Sequence, residues 1–259
     1  MISNTQSTDF LRAQRGSILG IAALVCLALI SNRFSNLDLI ISGWFYDATT
    51  QRFPLRNEWL WSTLLHEGEK WLAVGLVMAL IAVWGFSFRG NAARNQAFRA
   101  AVRSFAAFTV AVALLAAGVV ALVKGLSAHS CPWHLALFGG TADFFRLGDP
   151  LPLHPGSGRC LPSGHASVAF MWIAAVYASR RWLRQYTKRL ILLVSMLGLV
   201  AGGVQIARGA HFLSHILLSA ALCWAIAWTA DVVCHARLRS NAWWWRWRSF
   251  RSHGVRLPD

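Results

Sequence analysis

The chain has 259 residues, of which 56% are hydrophobic and only 14% charged, with a mean hydropathy of +0.46; this is too apolar for an ordinary water-soluble domain. Its formal net charge of +15 does not indicate nucleic acid, because Lys and Arg fall in short clusters between apolar stretches and not along one continuous basic face. The composition predicts an all-α, polytopic membrane protein, read as a single membrane-embedded domain over residues 1–259 with no low-complexity linker and no internal repeat.

Six segments reach or approach the length a bilayer core requires: residues 15–32, 71–88, 104–123, 165–179, 190–207 and 215–233. The first follows Arg12 and Arg15 like a signal peptide, yet no A-x-A cleavage site comes after it, so a retained anchor is expected. Residues 38–46 (LDLIISGWF) are apolar but too short to span, and are expected to lie at the interface within a first outer loop, 33–70. A second outer loop covers 124–164. The N-terminus and segments 89–103, 180–189 and 237–256 hold about 17 of the 25 Lys and Arg, which places them and both termini in the cytoplasm by the positive-inside rule. Any site built from the opposite loops then faces the periplasm of a two-membrane bacterium, and the protein is expected in the inner membrane. The basic tail 234–259, with its run Trp243-Trp244-Trp245-Arg246-Trp247-Arg248, reads as a headgroup-layer anchor.

Three stretches at the outer ends of spans carry groups suited to phosphate. Lys124 closes the third span. Leu161-Pro162-Ser163-Gly164-His165 precedes the fourth, where Ser163 starts a helix, Gly164 lets the backbone approach an oxyanion, and His165 supplies a proton donor. Between the fifth and sixth spans, Gln205, Arg208, His211 and His215 would lie on one side of a helix if it ran unbroken, forming a polar stripe at a membrane edge that asks for a partner.

Together these residues resemble the type-2 phosphatidic acid phosphatase (PAP2) superfamily, whose pattern is K-x6-R-P, then P-S-G-H, then S-R-x5-H-x3-D. The resemblance implies a six-helix bundle with its site in the extracytoplasmic loops. It also implies a phosphatase that hydrolyses a lipid phosphate or pyrophosphate without cofactor or metal. His211 is then the nucleophile of a phosphohistidine intermediate, His165 the acid and base, and Lys124, Ser163, Gly164 and Arg208 the phosphate cradle. The sequence departs from the pattern at Cys131 in place of the first Arg, at Gln205 six residues before His211, and at His215 in place of the orienting Asp. Asp143 or Asp149 is a candidate replacement for the carboxylate, and Arg159 or Arg146 for the guanidinium.

Cys131 and Cys160 share the oxidising side, and a disulfide between them is expected to tether the first motif to the second. His129, His134 and His154 lie in the same loop, and with His211 and His215 they offer ligand spacings; that reading leaves Lys124 and the Pro162–His165 turn without a role. The expected partners are the bilayer and a phospholipid, prenyl or lipid A phosphate. Two rivals use the same pocket: a phosphotransferase, in which a lipid hydroxyl takes the phosphoryl group, and a non-catalytic lipid-phosphate binder or transporter.

Overall fold

A computed structural model describes the backbone of residues 4–89 and 96–252 and the side chains of 14–89 and 96–237. The side chains of the Trp-rich tail, read above as an anchor, lie outside the described residues. The described residues form eight α-helices: α1 (Asn4–Asn32), α2 (Leu37–Gly43), α3 (Gly68–Phe86), α4 (Gln96–Leu126), α5 (Gly164–Phe170), α6 (Ile173–Trp182), α7 (Thr187–Ala207) and α8 (Leu213–Ser252). No strand forms among the described residues; two isolated bridges, Asp47 with Arg52 and Leu135 with Ala142, tie the loops.

Among the described residues, five segments are long and apolar enough to cross a membrane: Gln14–Asn32, Leu60–Phe86, Gln96–Leu126, Arg184–Ala207 and Leu213–Arg237. Spacing along α4 shows why they form a bundle. Ala106, Thr109, Val112, Ala113, Ala116 and Val120 are buried at steps of three and four, one helical face. Leu114, Leu115 and Leu122 on other faces are exposed, as lipid-facing residues are in a bilayer. On α7 four of the seven buried positions, Gly198, Ala201, Gly202 and Ala207, are small. A Cβ on Gly198 would come within 2.1 Å of the Phe170 ring, and one on Gly202 within 2.8 Å of Ile216, so glycine permits the close helix approach that association in lipid relies on.

The expected fourth span is not one continuous helix. It breaks at Met171 and Trp172 into α5 and α6, and neither piece alone is long enough to cross. Ala166, Ala169, Ala174, Val176, Tyr177 and Ala178 are all buried, because α3, α4, α7 and α8 pack around this pair. A segment enclosed by protein needs no lipid-grade hydropathy, which is why its sequence is the least apolar of the six. Tyr177 anchors it, its hydroxyl bonding Ser17 of α1 at 2.6 Å and accepting from Trp224 Nε1 of α8 at 2.8 Å. Near the far end Arg181 pairs with Asp231 at 2.7 Å.

The loops at the other end form a lid with its own core. Tyr46, Phe53 and Phe138 make a trio with ring centroids 5.3–5.4 Å apart, backed by Leu135, Ala142 and Phe212. The first loop is shorter than expected, since helical structure starts at Leu60 with a π-helical stretch, Leu60–Glu67, that runs into α3.

Candidate active site

The Pro162–His165 turn is held from two sides. Ser163 adopts an extended backbone, caps α5 by accepting from the Ala166 N–H at 3.2 Å, and is fully buried. Its own N–H donates to the His215 carbonyl at 3.2 Å, and its carbonyl accepts from Ser219 Oγ at 2.9 Å. The start of α5 is therefore sewn to the first turns of α8. Upstream, the expected disulfide is present: Cys131 and Cys160 are joined with Cα atoms 5.2 Å apart. Main-chain bonds from Arg159 N–H to the Ser127 carbonyl (2.7 Å) and from Cys160 N–H to the His129 carbonyl (3.0 Å) reinforce the tether.

The third motif is not a continuous helix. The chain turns between α7 and α8 at Gly209, whose φ of +67° favours glycine, and Phe53 packs so closely that a Cβ there would lie 2.4 Å from its ring. The N–H groups of Ala210 and His211 close on the Gln205 carbonyl at 2.9 and 3.2 Å, ending α7 in the way orphan helix carbonyls require. This turn carries His211 inward, where it is 3% exposed. Its Nδ1 lies 3.3 Å from Cys160 Sγ and 3.5 Å from His215 Nδ1. A disulfide sulfur has no hydrogen, so in the first of these contacts only His211 can donate. Burial drives the His211 pKa well below its ordinary value, and the nearby charges of His215, Lys124 and His165 push the same way; a hydrogen bond to the Cys160 backbone opposes them. The imidazole is neutral, as a nucleophile must be.

Lys124, in the last turn of α4, reaches over the start of α5: a Cβ on Gly164 would sit 3.5 Å from its Nζ. Arg208 is nearly buried and donates from Nε and Nη2 to the Arg56 carbonyl, both at 3.1 Å, and from Nη1 to Gln205 Oε1 at 3.4 Å. Burial lowers its pKa, and the neighbouring Arg56 charge lowers it further. Two guanidiniums thus share this corner, Arg56 being stacked over Trp133 at 4.3 Å. Gln205 Nε2 is buried with no partner.

Of the candidates to fill the departures from the family pattern, Arg146, Asp149 and Asp143 are engaged within the loops. Arg146 is spent on the first loop, where it donates to the carbonyls of Asn32, Arg33 and Ser35 and to Asn36 Oδ1. Arg159 is exposed, with a left-handed φ of 56°. Asp149 binds Arg33 and the Arg146 N–H, and Asp143 accepts from the His154 N–H at 3.1 Å. The carboxylate that reaches the third motif is Asp38. It is 1% exposed and accepts from Ser31 Oγ at 2.7 Å, Asn32 Nδ2 at 3.0 Å, the Ser214 N–H at 2.9 Å, and Ser214 Oγ. It caps α8 from another helix, one residue before His215, so the segment read as an interfacial patch is a strut beneath the site.

A second addition is His66, from the π-helical stretch. Its ring lies 3.7 Å from that of His165, centroid to centroid, and its Nδ1 is 3.0 Å from Glu67 Oε1. His165 Nδ1 is buried without a partner. The loop histidines go elsewhere: His129 stacks on Phe145 at 4.2 Å, His134 accepts from Trp133 Nε1 at 3.0 Å, and His154 is exposed. Among the described residues Cys131, Cys160 and His211 have a metal-like spacing, but the two sulfurs are bonded to each other and offer no thiolate.

Directly below these groups an apolar cleft of about 310 Å³ opens between α3, α5 and α7, walled by Leu65, Leu72, Val168, Trp172, Val200 and Val204 among others. It begins within one helical turn of His66, His165 and Gln205.

Comparison with curated proteins and with solved structures found no match. The family model described as the PAP2 superfamily matches residues 104–246, more than half of the chain and all three motif regions, and with the Lys124, Pro162–His165 and His211 arrangement it shows that the chain belongs to the PAP2 superfamily.

Proposed function

We propose that the protein is a membrane lipid phosphatase that works through a phosphohistidine on His211. Membership in the superfamily carries phosphatase activity on lipid-type phosphates; the identity of the intermediate, the side of the membrane and the substrate are the reading offered here. The observation that carries it is that neutral His211, His165, Lys124 and Arg208 lie within electrostatic reach of one another, with His165 one helical turn from the wall of an apolar cleft.

His211 keeps Nδ1–H toward the Cys160 sulfur and backbone, which leaves Nε2 with its lone pair for attack on phosphorus. The P–O bond to the lipid breaks as the P–N bond forms, and His165, entering the step as the imidazolium that the negative charge of the bound phosphate favours, gives its proton to the leaving oxygen. Water then attacks phosphorus, His165 takes its proton, and His211 is released with inorganic phosphate. Charge on the phosphoryl oxygens is met by Lys124, by Arg208 and by the first-turn N–H groups of α5 at Gly164 and His165, the Ser163 N–H being taken by the His215 carbonyl. Acyl or prenyl chains lie in the cleft and reach it sideways from the bilayer. The end of the bundle bearing Lys124, the disulfide and His211 is read as periplasmic, from the clustering of Lys and Arg at the other end.

The test is phosphate release by the purified protein from phosphatidate, phosphatidylglycerophosphate, prenyl diphosphate and lipid A in the presence of EDTA. Release that resists EDTA and drops at least about a thousandfold in His211→Ala is the expected result. Phosphate moved to a lipid hydroxyl instead of water would make the protein a transferase, and folded wild type that binds these lipids without turnover would make it a binder.

A further inference from the structure

The apolar cleft contains one group that the mechanism above does not use. Glu69, in the first turn of α3, lines it, and both carboxyl oxygens are buried with no hydrogen-bond partner. The neighbouring cations are committed elsewhere or out of the cleft: Lys70 is exposed and bonds Glu67 at 2.8 Å, and the other cleft-lining side chains are apolar. A carboxyl left unpaired inside a membrane span is costly and marks a functional position. Its oxygens can accept a hydrogen bond in either protonation state, and the protonated form can also donate one. Glu69 follows His66 by three residues, so it lies roughly 4–5 Å deeper along the helix. His66 packs on His165. A phosphate held at His165 and Lys124 therefore places the two or three carbons next to its ester oxygen beside Glu69.

We propose that Glu69 selects the substrate by hydrogen bonding to a hydroxyl or amide N–H on those carbons. The preferred class is then a lipid phosphate with such a donor close to the ester, a monoacyl glycerophosphate or an N-acylated amino-alcohol or amino-sugar phosphate. Diacyl glycerophosphates and prenyl phosphates lack the donor. This rests on the phosphatase reading and adds to it the identity of the group recognised. A site built to pair a polar group discriminates strongly against an analogue that lacks it, because its own atoms are then left unpaired.

The probes are 1-acyl-glycerol 3-phosphate and 1-acyl-propane-1,3-diol 3-phosphate, which differ only in the 2-hydroxyl. kcat/KM for phosphate release is measured in mixed micelles for wild type, Glu69→Leu and Glu69→Gln. Binding to His211→Ala is followed in parallel by tryptophan fluorescence. Wild type favours the hydroxyl lipid by about tenfold or more, Glu69→Leu brings the ratio near one, and Glu69→Gln, which can still donate and accept, keeps part of it. Leu suits an apolar wall, so loss of folding is not expected. A ratio near one in wild type, or a ratio unchanged in Glu69→Leu, overturns the proposal. A binding preference that disappears in the Glu69→Leu/His211→Ala double variant, with no phosphate released by wild type, upholds the recognition and overturns the phosphatase reading alone.

Discussion

Two apolar clefts flank the interrupted fourth crossing, and they differ in what lies at their ends. The larger, about 630 Å³, runs between α1, α6, α7 and α8 past Tyr177, Gly198, Gly203 and Trp224. The smaller, about 310 Å³, lies between α3, α5 and α7. Volume alone would favour the first. Yet its polar wall residues are Tyr177, Ser195 and Arg180, the last in the final turn of α6 at the end away from His211. The second leads into the histidines and carries an unpaired carboxyl. A cleft becomes a substrate site through the groups at its mouth, and the larger one has no such groups at the His211 end.

The largest loss is expected from removing charge beside the histidines above the smaller cleft. Lys124→Ala is expected to lower kcat by about 10² to 10³, the range for losing one preorganised electrostatic donor, with lipid binding reduced far less. An equal loss of both would show that Lys124 is only an interfacial anchor. Next is the Cys131–Cys160 tether, which closes a separation of 29 residues. Replacing both with Ser should cost about 3–4 kcal/mol of stability in the chain-entropy model, read by chemical unfolding in detergent, and slow turnover through misplacement of His211. An unchanged midpoint would deny it a structural role.

Filling the clefts separates them directly. Val200→Trp narrows the smaller one and is expected to raise KM about tenfold for long-chain lipid phosphates, the scale of a few lost or clashing methylenes. It should leave a short soluble phosphate ester unaffected. Gly203→Ala points into the larger cleft, where a Cβ meets nothing within 4 Å, and should change neither. The reverse pattern would reassign the lipid site.

The smallest effect is on pH dependence. His211 has its pKa lowered by burial and by His215, Lys124 and His165. The unfolded chain, with an ordinary imidazole near pH 6.5, therefore binds more protons than the folded one below that pH. Stability from this group is intact above about pH 6.5 and falls as the pH drops toward the lowered folded value, at up to about 1.4 kcal/mol per pH unit. His211→Asn should flatten that slope, measured by unfolding between pH 7 and 5. A slope steepening on the alkaline side would reverse the sign of the argument.

Much of this site was legible from sequence because its motifs are local. Pro162–His165 is a contiguous helix start, His211 and His215 sit between two apolar spans, and Cys131 and Cys160 each adjoin a motif. Asp38, Arg56, His66 and Glu69 were missed because each is a single residue in a segment far from those motifs, brought in only by packing. A signal was present in three of them. Asp38 is a lone acid in an otherwise apolar run, and the polar cluster from His66 to Lys70 lies within what the structure shows to be one long helical span, Leu60–Phe86. Polar residues inside a span face protein or ligand, so the cluster marked the site and not the end of a loop. The break at Met171 and Trp172 has no Gly or Pro to announce it.

The central claim is that phosphorus passes through His211. Rapid quench of the protein with a radiolabelled aryl phosphate, whose leaving group needs little protonation, should trap an acid-labile, alkali-stable phosphoenzyme that maps to His211 and accumulates further in His165→Ala. Label on any other residue, or burst release of phosphate with no phosphoenzyme at any quench time, would contradict the account.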